Sequence, residues 1–312
     1  MHGLLILSRH ATQYHRLIEA ARLPELDIVS ITDSADFSPS AAPCDVVLGE
    51  PSLVRDVLGR MPALHWVQAT WAGVEPLLDP SLRRDYVLTN ARGVFGAQMS
   101  EYVFGYLLAH ERRMFDTHAA QQERRWDPRP PGTLRGKQLG LLGVGSIGAA
   151  LARTAKHFGM RVKGYTRAGE GCADVDAYFH GDDRRAFAAD LDYLVSVMPN
   201  TADTRGLVDA SLLAALPPRA VFVNPGRGSV VDEAALADAL TAGRLAGAVL
   251  DVFQQEPLPP DHVFWRLPNV VVTPHTAALS TPSDIAPVFI ENYRRWIAGE
   301  PLHHQVDFER GY

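Results

Sequence analysis

Three short segments carry the residue types that proton and carboxylate chemistry needs. Val221-Phe222-Val223 runs into Asn224-Pro225-Gly226-Arg227-Gly228, Leu250-Asp251-Val252-Phe253 leads to Glu256-Pro257, and Val272-Thr273-Pro274 leads to His275. Each is an apolar, strand-like run followed by a loop. One arginine, one glutamate and one histidine therefore stand at successive strand ends. Histidine gives and takes a proton near neutral pH, and a carboxylate beside it stabilises the imidazolium form. A planar guanidinium suits a carboxylate or a carbonyl oxygen. Singly, each has a plainer reading: a surface arginine in a glycine turn, a solvated loop acid, a loop histidine. Their shared position unites them, because open parallel sheets bind ligands at the carboxyl ends of their strands.

The elements that must position them form a strand–helix alternation from Leu139 to Val272. Candidate strands are Leu139-Leu142, Val162-Tyr165, Tyr193-Val197, Ala220-Val223, Gly247-Leu250 and Val270-Val272, about six, as in a doubly wound nucleotide-binding sheet. The first leads into Gly143-x-Gly145-x-x-Gly148, followed by a helical pattern (Ala149, Leu151, Ala155, Phe158). Such a strand–turn–helix needs glycine to bend sharply and pack closely. The helix-start amides around Gly143, Gly145, Ser146, Ile147 and Gly148 then offer a seat for a dinucleotide pyrophosphate. A lone glycine triplet also occurs in plain turns; the strand before it and Met160–Tyr165 after it distinguish this one.

An NAD-binding turn is usually followed, about 20 residues on, by an acid for the ribose hydroxyls. Here the second strand ends Gly164-Tyr165-Thr166-Arg167, without an acid and with Glu170 three residues further. Thr166 and Arg167 could bond a 2′-phosphate. The expected cofactor is NADPH/NADP+, with NADH possible.

Residues 1 to about 100 form another α/β alternation, with apolar runs at Leu4-Leu7, Ile28-Ile31, Val46-Leu48, Leu64-Gln68 and Val87-Leu88 and no glycine turn of the pyrophosphate type. Ser100 to Glu123 reads as one long helix, and Trp126-Asp127-Pro128-Arg129-Pro130-Pro131-Gly132 as a stiff linker. The expected architecture is two doubly wound parallel-sheet domains: a discontinuous flavodoxin-like substrate domain, 1–100 with 279–312, and a Rossmann-type cofactor domain, 101–278.

The 312 residues are 46% hydrophobic, enough for sizeable cores, with a formal net charge of -6 that argues against a nucleic-acid partner. Two cysteines, Cys44 and Cys172, suggest neither a disulfide framework nor a zinc site, and no metal is expected. The apolar run near the N-terminus is too short for a signal peptide or a membrane span, so a soluble, cytoplasmic protein is expected.

With these motifs in view, the sequence resembles the D-isomer-specific 2-hydroxyacid dehydrogenases over nearly its whole length. The likeness includes Ala72-Gly73-Val74, Asn90 to Tyr102, the glycine turn, Pro199-Asn200-Thr201 with Thr204, and the three segments above. Met99-Ser100-Glu101-Tyr102, Gln121-Gln122 with Trp126, Leu258-Pro259-Pro260 and Arg310-Gly311-Tyr312 look like the glyoxylate/hydroxypyruvate reductase subgroup. The resemblance implies that His275 is the general acid in keto-acid reduction, that Glu256 hydrogen-bonds it, and that Arg227 clamps the substrate. It implies further that Ala72, Gly73 and Val74, with Trp71 beside them, bind substrate, and that Pro199, Thr204, Pro225, Gly226 and Asp251 contact the cofactor, Asp251 at the nicotinamide amide. A homodimer and hinge closure over the substrate are also implied. Trp71 stands where many members have a small residue; it could favour small keto acids such as glyoxylate and hydroxypyruvate, or equally larger ones such as phenylpyruvate. A D-3-phosphoglycerate dehydrogenase and a dinucleotide-sensing scaffold of the corepressor type are the alternatives.

Overall fold

Every strand pair in the two sheets runs parallel, as alternation of strands and helices requires. The structure is a computed structural model and describes residues 1–167 and 169–311. The chain divides into two compact units, Met1–Val94 with Ser280–Tyr312, and Phe95–Leu279.

The first unit holds β1 (His2–Leu7), β2 (Leu26–Ile31), β3 (Val46–Gly49), β4 (Trp66–Ala69) and β5 (Val87–Thr89), in spatial order β2-β1-β3-β4-β5. That is the flavodoxin-like order. All five strands fall on the apolar runs read from the sequence. Both sheet faces are covered, so residues of either parity along a strand are buried. Leu5, Leu7, Val47, Val67 and Leu88 share one core with Val54 and Val57 of a short helix, Pro51–Val57. On the other face, fully buried Trp66 stacks on Phe289 of the C-terminal helix Pro282–Ile297, ring centroids 5.3 Å apart. Its indole N–H donates to Thr89 Oγ1 at 2.9 Å, so the one polar atom carried inside is satisfied.

The second unit holds β6 (Gln138–Leu142), β7 (Arg161–Tyr165), β8 (Ala177–Phe179), β9 (Tyr193–Ser196), β10 (Val221–Asn224), β11 (Gly247–Leu250) and β12 (Val270–Val272), in order β12-β11-β10-β9-β6-β7-β8. Connections run outward in both directions from β6, so the order reverses between β6 and β9, which makes this the switch point of a doubly wound sheet. Residues alternate between two cores: Leu194 and Phe222 enter one, Tyr193, Val195, Val221 and Val223 the other. The sheet has seven strands where the sequence suggests six. The additional one, β8, is a three-residue, half-buried edge strand, too short to show a periodicity.

The long helix expected over Ser100–Glu123 is two helices, α1 (Gly96–Glu111) and α2 (Met114–Gln122). Arg113 between them has φ 55°, in the left-handed region, and this breaks the i→i−4 ladder. Arg113 is held there by Asp116 at 2.9 Å and Asp127 at 3.4 Å.

Candidate active site and dinucleotide cradle

The glycine turn sits at the C-terminal end of β6. Gly143 has φ +94°, and its amide donates to Tyr165 O at 3.0 Å, closing the turn onto β7. A Cβ on Gly148 would lie 2.3 Å from Gly143 O, so the helix Ser146–His157 can approach the strand only with glycine there. A Cβ on Gly145 would meet nothing within 4 Å. Space in front of Gly145, bare backbone around it and the N-terminus of a twelve-residue helix behind it fit a pyrophosphate. Gly226 closes the next turn equally tightly: its Cβ would lie 2.7 Å from Ser196 O. Ser196 itself ends β9 at the switch point, and its buried hydroxyl has no partner among the described residues. Pro225 is buried in the same turn. Thr204 is spent on its own loop, donating to Pro199 O at 2.6 Å and accepting from Thr201 N at 2.9 Å.

Arg227, Glu256 and His275 follow β10, β11 and β12, three adjacent strands. Glu256 is fixed at both oxygens: Oε1 accepts from Phe253 N at 2.9 Å, and Oε2 lies 2.7 Å from His275 Nδ1. A carboxylate only accepts, so Nδ1 carries the proton and Nε2 is left as the exchanging atom. The histidine is half exposed. Its backbone has φ 56°, and its amide donates to Asp251 O at 2.9 Å.

Asp251 has a structural task that its sequence position does not reveal. It is buried, and its carboxylate accepts from Thr273 Oγ1 at 2.5 Å and from the amides of Thr276 and Ala277 at 2.9 Å each. It thereby clamps both sides of His275. Thr273 Oγ1 is in turn 2.7 Å from the hydroxyl of Tyr102. Burial pushes the pKa of that phenol far up, so it stays a neutral hydrogen-bonding group.

The Arg227 loop is held from within: Asn224 Nδ2 donates to Arg227 O at 3.0 Å, and Arg227 Nη1 to Gly226 O at 2.8 Å. Gly228 then packs directly on the next loop, its Cβ position 2.0 Å from Phe253 C. The guanidinium loop and the Glu256 loop are thus in van der Waals contact through Gly228 and Phe253. Asn224 and Gly228 belong to the motif that flagged Arg227 but carried no assignment of their own.

At the end of β7, Thr166 Oγ1 donates to Gly169 O at 2.9 Å, and Arg167 is exposed. His180, the residue after β8, reaches both sides of this loop: Nδ1 lies 2.9 Å from Thr166 O and Nε2 lies 2.8 Å from Glu170 Oε1. With β8 missing from the sequence reading, this neighbour is missed.

The loop Trp71–Val74 follows β4 in the first unit. Asn90 Nδ2 donates to Ala72 O at 2.9 Å and Ala91 N to Trp71 O at 3.1 Å, while Val74 is buried beneath. Trp71 is 37% exposed and Trp126 91% exposed, so neither side chain is core. Among the described residues, no group of three or more His, Cys, Asp or Glu is placed to hold a metal ion, and no helix is long and apolar enough to cross a membrane.

A doubly wound sheet with a glycine turn at its switch point is the architecture of a dinucleotide-binding domain. Residues 104–277 match the NAD binding domain of the D-isomer specific 2-hydroxyacid dehydrogenases. A glyoxylate/hydroxypyruvate reductase A of Salmonella heidelberg is 34% identical over 277 residues, covering 86% of this chain and 88% of that protein. A D-isomer specific 2-hydroxyacid dehydrogenase family protein of Aeromonas salmonicida superposes with TM-score 0.93 at 42% identity, over 98% of this chain and 99% of that one. A D-isomer specific 2-hydroxyacid dehydrogenase of Xanthobacter autotrophicus, solved with NADPH and MES, gives TM-score 0.91 at 34% identity over the full length of both chains. The chain belongs to the D-isomer specific 2-hydroxyacid dehydrogenase family.

Proposed function

We propose that this protein reduces a small 2-keto acid of the glyoxylate or hydroxypyruvate type to the D-2-hydroxy acid, with NADPH favoured over NADH. The observation that carries the reading is the Glu256–His275 pair, oriented at both ends and standing at the ends of β11 and β12, in the same sheet whose β6 leads into a glycine turn fit for a pyrophosphate. When bound, the nicotinamide supplies the hydride to the carbonyl carbon. His275 Nε2 gives its proton to the carbonyl oxygen, and Glu256 stabilises the cation before the transfer and orients the ring after it. Arg227 binds the carboxylate and the carbonyl oxygen, fixing the carbon for attack. The backbone amides of Ala72-Gly73-Val74 bind the other carboxylate oxygen, with Trp71 limiting the side chain accepted. Asp251 keeps one acceptor site beyond its three donors, which suits the nicotinamide amide.

In this reading residues 101–278 form the cofactor domain, and 1–100 with 279–312 the substrate domain. The working form is a cytoplasmic homodimer. The likeness to reductases named for glyoxylate and hydroxypyruvate, and to a relative solved with NADPH, supports the substrate and cofactor assignments.

Initial rates with glyoxylate, hydroxypyruvate, pyruvate and phenylpyruvate, each with NADPH and NADH, test it. Fastest turnover of glyoxylate or hydroxypyruvate with NADPH is expected. Preference for phenylpyruvate would overturn the small-substrate reading, and preference for NADH the cofactor reading. Absence of turnover with every pair would move the protein to the dinucleotide-sensing scaffolds of the same fold.

A further inference from the structure

Both ring nitrogens of His180 face acceptors: Nδ1 faces Thr166 O at 2.9 Å, with the Thr166 hydroxyl, whose proton goes to Gly169 O, at 3.2 Å, and Nε2 faces Glu170 Oε1 at 2.8 Å. A carbonyl and a carboxylate have no proton to give, so satisfying both contacts needs both N–H groups, which is the imidazolium form. The ring is further fixed by stacking on Tyr178, interplanar angle 5°. These contacts sit where β7 and β8 end side by side, the edge at which a doubly wound sheet receives the adenosine ribose.

The geometry points to His180 and Glu170 as the pair that decides whether a 2′-phosphate is accepted. Glu170 would otherwise repel the phosphate, standing three residues beyond Arg167 in the same loop. With His180 charged, the Glu170 carboxylate is cancelled and no longer offsets Arg167. With His180 neutral, Glu170 cancels Arg167 instead, and the phosphate loses its advantage over a ribose hydroxyl. NADPH preference is therefore conditional on one proton. This inference rests on the NADPH reading and names the residues that carry it.

The groups around His180 are Glu170 and Arg167 from the loop after β7, Tyr178 of β8, and Asp182, Asp183 and Arg184 on the turn that follows. Arg184 is paired with Asp209 at 3.4 Å. The Glu170 hydrogen bond, then that to Thr166 O, raise the His180 pKa above the ordinary histidine value, and Asp183 adds to this. The charged form therefore persists to higher pH than in an ordinary histidine and is lost as pH rises further.

The test is direct binding, without turnover: dissociation constants of NADP+ and NAD+ for the wild-type protein, His180→Gln, Glu170→Gln and the double variant. They are measured between pH 7 and pH 9, where a phosphate monoester, with a second ionisation near about 6, stays doubly charged. In the wild type the preference for NADP+ should fall across this range. His180→Gln should weaken NADP+ about tenfold at pH 7, the scale of one charge-assisted contact, with NAD+ unchanged. Glu170→Gln should strengthen NADP+ binding and flatten the pH profile, and adding it to His180→Gln should restore most of the loss. NAD+ binding serves as the check that each variant is folded. If the wild type prefers NADP+ and both single variants keep its preference and its pH slope, this inference fails alone. If the wild type shows no preference for NADP+, the NADPH reading fails with it.

Discussion

Glu256 Oε2 lies 2.7 Å from His275 Nδ1, while Oε1 of the same carboxylate takes the Phe253 amide. The second bond matters because it removes the carboxylate's freedom to rotate. In Glu256→Gln the amide oxygen has to choose between the two partners. If it keeps the Phe253 amide, its NH2 faces Nδ1, which forces the proton onto Nε2 in a neutral ring and removes the charge that made the ring a ready donor. The expected outcome is a drop in kcat for keto-acid reduction of about 100-fold or more, the usual scale of general acid–base catalysis. Binding of NADPH should change by less than about twofold. Fluorescence titration beside steady-state rates checks it; an unchanged kcat would remove Glu256 from the proton path.

Arg227 is half-buried in a loop held by Asn224 and Gly228. Lysine there would retain the charge but lose the planar fork. Arg227→Lys should raise KM for the keto acid and lower kcat/KM roughly 10- to 100-fold, matching about 1.5–3 kcal/mol for a hydrogen bond to a charged group. Binding of the dinucleotide should be retained. Loss of dinucleotide binding instead would place Arg227 in the cofactor cradle.

Much of this was legible in the sequence because it is local. Leu139–Leu142, the glycine spacing and the helical repeat after it are one strand–turn–helix written in consecutive residues, and the three strand-end motifs are legible for the same reason. What was not legible arises where distant segments meet. The His180–Glu170 contact depends on β8 pairing with β7, and a three-residue edge strand has no period to read. The clamp of Asp251 on Thr273, Thr276 and Ala277 depends on β11 lying beside β12. The break at Arg113 has no proline or glycine to announce it; a left-handed arginine held by Asp116 and Asp127 ends the helix.

Stability should carry a histidine signature from His110, near the C-terminus of α1. Desolvation by its neighbours lowers its pKa although the side chain keeps an exposed surface, a shift that the neighbouring Glu111 opposes only in part. The folded state thus keeps the neutral ring to lower pH than the unfolded chain, which protonates near the ordinary 6.5. Because the folded pKa is depressed, the unfolded state binds more protons as pH falls. This contribution is complete above 6.5 and is lost as pH drops from there through the folded value. His180, with a raised pKa, acts in the opposite sense. The measurement is therefore the difference in unfolding free energy between wild type and His110→Gln across pH 5 to 8. That difference should shrink toward acid; a constant difference would show that His110 does not titrate on unfolding.

Gly145 and Gly148 separate what the turn needs for folding from what it needs for binding. At Gly148 an added methyl would lie 2.3 Å from Gly143 O, backbone that cannot step aside without moving the helix Ser146–His157 off β6. Gly148→Ala should therefore cost about 1–3 kcal/mol of stability, the range for overpacking, and weaken dinucleotide binding as the turn shifts. At Gly145, φ is -86°, which alanine adopts without strain, and the methyl would meet no protein atom within 4 Å. Gly145→Ala should leave the thermal midpoint within about 1 °C, a change of under about 1 kcal/mol for a chain of this size. Its methyl would nevertheless project into the space assigned to the pyrophosphate, so NADP+ and NAD+ should both bind at least about tenfold more weakly, a loss of about 1.4 kcal/mol. Calorimetric melting and dinucleotide titration of the two variants side by side check both halves. If Gly145→Ala binds both dinucleotides as the wild type does, the pyrophosphate does not lie against this turn.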